Sequence, residues 1–144
     1  MKKGIYHYTY LVLIISCSSF AFYIYNKGKN TLQLPQLKDR NNALSQAADW
    51  TNVQKTTTQL LTEIKNKPGQ NKMYLALAKE YLQEGRVSGN FSYYNGACLE
   101  LIDHVLNKEP KNLDALCLKG TVLMSQHTFE ECKQLIQGVA QETS

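Results

Sequence analysis

The groups in this 144-residue chain that could do chemistry are four cysteines, three histidines and a scatter of carboxylates, and their spacing decides what they can do. Cys17, Cys98, Cys117 and Cys132 include no Cys-x-x-Cys pair, which argues against a dithiol redox motif or a zinc ribbon. His104 follows Cys98 by six residues and His127 precedes Cys132 by five, so neither pair shares one face of a helix. Asp103 and His104 are adjacent, which on a helix turns their side chains about 100° apart and defeats a dyad. Glu80 and Glu84, four apart beside Lys79, and the Glu130-Glu131 pair read as solvated charge. Gly85, Gly89 and Gly96 fit neither GxGxxG nor GxxxxGK, so phosphate cradling is not expected. The chain therefore reads as a non-enzyme, with no catalytic residue, no metal ligand set and no cofactor. A disulfide among Cys98, Cys117 and Cys132 would strand one thiol. Cys98 and Cys132 fall on apolar stripes, which favours buried free thiols that behave as compact apolar groups.

Those stripes belong to helices. Over residues 113–141, Leu116, Gly120 and Leu123 recur at helical spacing, and Phe129, Cys132, Ile136 and Val139 form a second stripe at i, i+3, i+7 and i+10. Thr128 with Glu131 three residues on reads as a capping box that starts a helix. Upstream, Tyr74, Leu77, Ala78 and Tyr81 form one stripe and Cys98, Leu101, Ile102 and Val105 the next, with Pro110 where that helix must stop. Lys67 to Asn71, KPGQN, reads as a turn whose Asn71 could cap the next helix, which is expected to close at Gly85. The stretch from Gly85 to Gly96 is then a loop. Its Phe91, Tyr93 and Tyr94 either fold back as a lid over helix ends or contact a partner. A two-helix hairpin cannot hide its apolar side alone, so successive hairpins must stack.

This pattern resembles the tetratricopeptide repeat family, whose unit runs aromatic, Leu-Gly, Tyr, then Ala, aromatic, Ala and Pro. In the unit counted from Leu113 the matches are Leu116, Gly120, Leu123, Phe129 and Cys132. In the unit counted from Asn71 they are Tyr74, Leu77, Ala78, Tyr81, Cys98, Ile102, Val105 and Pro110, with eight extra residues between the helices. A third, weaker unit carries the Asp-aromatic turn at Asp49-Trp50, the stripe Val53, Thr57, Leu60 and Ile64, and a sparse first helix around residues 38–48. The resemblance implies an all-α superhelical array of two clear units plus one weak one. It also implies a concave groove lined by Lys72, Leu75, Lys79, Leu82 and Gln83, then Asp114, Cys117, Thr121, Met124 and Ser125. Leu75 and Asp114 depart from the family's clamp for acidic carboxyl-terminal tails, so the implied ligand is an extended or helical peptide held by apolar contact and the two lysines.

The amino terminus reads differently. Residues 5–25 contain no Asp, Glu, Lys or Arg, and as a helix they would rise about 31 Å, close to the bilayer core. Tyrosines at 6, 8, 10, 23 and 25 sit where an aromatic belt would lie. This predicts a signal anchor over 1–25, a polar linker over 26–36 and a repeat domain over 37–144. Two competing readings are a cleaved signal peptide and a lipoprotein, since Ile14-Ile15-Ser16-Cys17 resembles a lipobox in which Cys17 would be lipidated. Of the sixteen basic residues, Lys2, Lys3, Lys27 and Lys29 flank this segment, leaving twelve basic against twelve acidic beyond residue 30. The net charge of +4 therefore belongs to the flanks of the apolar segment, and nucleic acid is not an expected partner.

The expected function is a membrane-tethered scaffold or assembly factor, its domain in the bacterial periplasm or envelope, binding a protein or peptide. In layout it resembles the anchored repeat protein of cytochrome c maturation. The rival reading is a subunit that self-associates into a homo-oligomer, because no polar capping helix follows Gln141 to cover the last pair.

Overall fold

The structure, a computed structural model, describes residues 12, 14–21, 32–41 and 44–143. It divides into two units, Met1–Gln33 and Leu34–Ser144. In the first, residues 14–21 are helical (α1), with Cys17 exposed on it. Most of the segment read as an anchor, and the linker up to Thr31, lie outside the described residues. Among those described, no helix is long and apolar enough to cross a membrane.

The second unit is built from five helices: α2 (Trp50–Asn66), α3 (Asn71–Ser88), α4 (Phe91–Leu106), α5 (Leu113–Ser125) and α6 (Phe129–Thr143). No strand occurs among the described residues. The helix α3 is central, touching α2, α4 and α5, and it buries eight residues on a broad face. By contrast α2 buries only Trp50, Thr57 and Ile64, a single stripe at i, i+7 and i+14. The most deeply buried side chains include Tyr81, Tyr94, Ile64, Leu77, Leu101, Ile102 and Val105, so the core sits where α3 meets α4 and its neighbours.

The punctuation is local chemistry. Pro68 follows α2 within two residues, and the Lys67 N–H closes the last turn on the Glu63 carbonyl. Asn112 caps α5, its side chain accepting from the Ala115 N–H at 3.0 Å. The α5–α6 link is three residues, Gln126 to Thr128, with His127 in the left-handed region at φ 60°. At Thr128 a helix does start, but its hydroxyl donates to the Leu123 carbonyl at 3.0 Å and so closes the end of α5 instead of capping α6. Asn71 likewise does not cap α3: it is the first helical residue, after Gln70.

Two expectations change. The stretch from Gly85 to Gly96 is not a loop, because α3 continues to Ser88 and α4 begins at Phe91. The turn is only Gly89-Asn90. Gly89 takes φ 73°, which only glycine adopts cheaply, and its N–H bonds the Gly85 carbonyl. Gly85 serves packing instead, since a Cβ there would stand 3.1 Å from Tyr94 Cβ. The extra residues thus lengthen both helices of one hairpin. Secondly, no described residue over 38–48 is helical. Residues 32–41 follow an irregular path, and 44–49 form turns and a bend.

That irregular segment has its own reason. Arg40 is buried: its Nε donates to Glu84 Oε1 at 2.8 Å and its Nη2 to Glu84 Oε2 at 2.7 Å. Its other face meets Asp49 at 3.1 and 3.0 Å, and the guanidinium lies 4.8 Å from the Trp50 ring centroid. These bonds hold the arginine strongly protonated, Glu84 foremost. A helix over 38–48 would give up this long-range pairing for the local bonds of a sparsely apolar segment.

Candidate functional site: the open face of the terminal hairpin

The chemistry-bearing side chains are scattered, and Cys98, Asp103 and His104 have structural occupations. The Cys98 thiol donates to the Ala78 carbonyl at 3.0 Å, and burial pushes it up to about 12, far from a reactive thiolate. Asp103 pairs with Lys119 across α4 and α5 at 2.8 Å, while its neighbour His104 stacks on Tyr74 with ring centroids 4.4 Å apart. Burial, aided by the Lys108 charge, pushes the His104 imidazole below its ordinary range. No group of His, Cys, Asp or Glu among the described residues could hold a metal ion.

The groove residues expected from the repeat pattern separate into two sets. On α3, Leu75 and Leu82 are buried, a consequence of that helix being packed on several sides, so neither is offered to a ligand. Lys72, Lys79 and Gln83 remain exposed on the same helix. On α5, Asp114, Cys117, Thr121 and Met124 are exposed and Ser125 is half-buried. Asp114 lies in the first turn, where its charge suits the helix dipole.

The second set meets a groove that sequence pattern alone did not outline. Cys117, Thr121 and Met124 line it from α5, with Leu113 at its end, and Ile136 and Val139 line it from α6. Its apolar character comes from incomplete cover. Of the α6 stripe only Cys132 is buried, Val139 is half-buried, and Phe129 and Ile136 are 55% and 62% exposed. Leu113 at 64% and Met124 at 50% continue the same openness on α5. Isolated exposed apolar residues are ordinary, but a contiguous groove of them marks a surface made to be covered. No family model matches this chain, and no curated protein or solved structure matches it. The α5–α6 face is therefore read from its own chemistry, which is non-directional and fits an apolar helix or extended peptide more readily than a small polar molecule.

The aromatics expected on a loop lie instead on the first turn of α4. Phe91 is exposed, Tyr93 half-buried and Tyr94 buried. Tyr94 packs against Tyr81 and Tyr93 with centroids 5.5 and 5.1 Å away. The hydroxyls reach residues 35–38. Tyr81 donates to the Pro35 carbonyl and Tyr93 to the Gln36 carbonyl, both at 2.6 Å, and Tyr94 shares bonds with the Lys38 N–H and carbonyl at 3.1 and 3.3 Å. Sequence reasoning missed this set and its buried Arg40–Glu84 pair. One signal was available: Glu84 lies on the stripe of Leu77 and Tyr81, where a carboxylate needs a partner.

Proposed function

We propose that this chain is a non-catalytic interaction module of tetratricopeptide-like hairpins, tethered to a membrane by its amino-terminal segment, which captures a partner protein or peptide on the open face of α5–α6. The observation carrying this reading is the uncovered α6 stripe, where Cys132 is the one buried side chain among those described on the helix. A solvated helix of that kind draws little stability from tertiary packing, so a partner that covers Phe129, Ile136 and Val139 stabilises it by burying apolar area at roughly 25 cal/mol per Å². The partner's chemistry is an apolar stripe on a helix or extended segment. A photo-crosslinking residue at position 136 of the full-length chain in its native host tests this. One predominant protein adduct is expected, weakened by Met124→Glu and absent when the probe sits at exposed Lys55 on α2. Equal labelling from both positions would defeat the reading.

A second reading rests on the same uncovered stripe: a further copy of α5–α6 could stack on it, as the units of repeat arrays stack on one another. Light scattering on the full-length chain separates the two. A monomer at high concentration favours the foreign partner, and a concentration-dependent dimer abolished by Ile136→Lys favours self-stacking.

A further inference from the structure

Residues 34–40 are held across the α3–α4 hairpin in the manner of a bound peptide. Three tyrosine hydroxyls take the strap by its backbone at Pro35, Gln36 and Lys38, contacts that read no side chain. Side chains add two cations to the hold: Lys38 Nζ stands 3.8 Å from the Tyr93 ring centroid, and Arg40 forks onto Glu84 while its other face meets Asp49. The strap contributes little to the core. Leu34, Pro35 and Leu37 are only half-buried, and Arg40 is its one buried residue. What it leaves behind when it lifts is a ready-made receptor, since Tyr81, Tyr94 and Glu84 stand on α3 and α4, which pack against each other. Its connection to α2 runs through residues 41–49 and contains no helix among the described residues.

We infer that this tyrosine track is an exchangeable peptide site whose partner in trans is the strap of a second copy of the chain. The chemistry selects that occupant: a segment with Pro35, Lys38 and Arg40 at their spacing is the ligand seen to fit, and every copy carries it. Reciprocal exchange recreates each hydroxyl-to-carbonyl bond and both Arg40–Glu84 pairs, so the dimer needs no new interface. The closed form prevails in dilute solution because the tethered strap acts at an effective concentration in the millimolar range. Exchange is therefore expected at high local concentration. This site is separate from the α5–α6 face and does not rest on that reading.

Complementation between two broken copies tests the inference. One full-length chain carries Arg40→Gln, with an intact track and a faulty strap, and the other carries Glu84→Gln, with an intact strap and a faulty track. Both also carry Ile136→Lys, which removes association through α6. Mixed, they should form heterodimers at least about tenfold more abundant than either homodimer, read by native mass spectrometry of differently tagged copies, because only the mixture can build one complete Arg40–Glu84 pair. Monomers alone, from variants that keep their helical circular dichroism, overturn it. Should either variant unfold, two differently tagged copies with wild-type straps and Ile136→Lys decide. Equilibrated together in mild denaturant and returned to native buffer at the same high concentration, they yield mixed-tag dimers if straps exchange and only monomers if they do not.

Discussion

Gly85 and Gly120 look alike in sequence, each being a glycine inside an amphipathic helix, but the structure gives their alanine variants opposite signs. Replacing glycine by alanine within a helix gains about 0.5–1 kcal/mol from backbone entropy alone. At Gly120 the new methyl would meet Cys132 Sγ at 3.8 Å and Leu135 Cδ2 at 4.0 Å, ordinary contacts that add a few tenths of a kcal/mol. Gly120→Ala should therefore stabilise by about 1 kcal/mol. At Gly85 the methyl would lie 3.1 Å from Tyr94 Cβ, an atom next to the backbone that cannot swing aside. Tyr94 is further fixed by its ring contacts with Tyr81 and Tyr93 and by its bonds to Lys38. Accommodating the methyl means moving α3 from α4, an overpacking cost of about 1–3 kcal/mol that outweighs the helix gain. The two variants should differ by about 2 kcal/mol, on the order of 10 °C in melting temperature for a unit of this size. Urea and thermal unfolding followed by circular dichroism measure this. If Gly85→Ala stabilises as much as Gly120→Ala, the close approach of α3 to α4 is wrong. Gly120 borders the open groove, so Gly120→Leu should cost near the low end of about 1–3 kcal/mol because its side chain can turn into that space.

Three further outcomes are expected. Thr57 is fully buried with its Oγ1 unpartnered among the described residues, so Thr57→Val should stabilise the fold by about 1 kcal/mol in urea unfolding, and a loss of that size would mean the hydroxyl has a partner. His104 is held below its unfolded value near 6.5, so it contributes stability that is present above that pH and lost as pH falls through the folded value. His104→Phe, which keeps the stack on Tyr74 and removes the buried unpartnered Nε2, should flatten the unfolding midpoint between about pH 7 and 5 relative to wild type, and an unchanged slope would show that other groups carry it. Finally, a thiol reagent should modify Cys117 in the native chain and leave Cys98 and Cys132 until unfolding, and early labelling of Cys98 would contradict its burial.

The features legible in the sequence are those whose signals are local. The stripes of α3 to α6 are written within each helix, and Pro68 and Thr128 lie within two residues of the boundaries they suggested, whereas α4 stops at Leu106, four residues before Pro110. The hairpin turn was misplaced because Gly85 and Gly89 carry the same letter for different purposes: one admits a neighbouring helix, and the other takes the left-handed turn. Residues 38–48 went wrong for a long-range reason, since Arg40 is bound by Glu84, 44 residues away, and no local periodicity encodes that. The candidate groove was half legible. Repeat register pointed to Cys117, Thr121 and Met124, but it could not tell that Leu75 and Leu82, equivalent by count, lie on a helix enclosed by its neighbours. Nor could it show how little of α6 is covered, because cover depends on which elements pack against a helix and not on the periodicity within it.

Hydrogen exchange along α6 tests the central claim most directly, because the claim is that this helix lacks the cover a partner supplies. In the full-length chain alone, amides of α6 should exchange at least about a hundredfold faster than those of α3 and α4, and slow towards them in the complex isolated through the position-136 crosslink. Protection of α6 equal to that of α3 and α4 in the chain alone would mean its apolar stripe needs no partner, and the proposed capture surface would not exist.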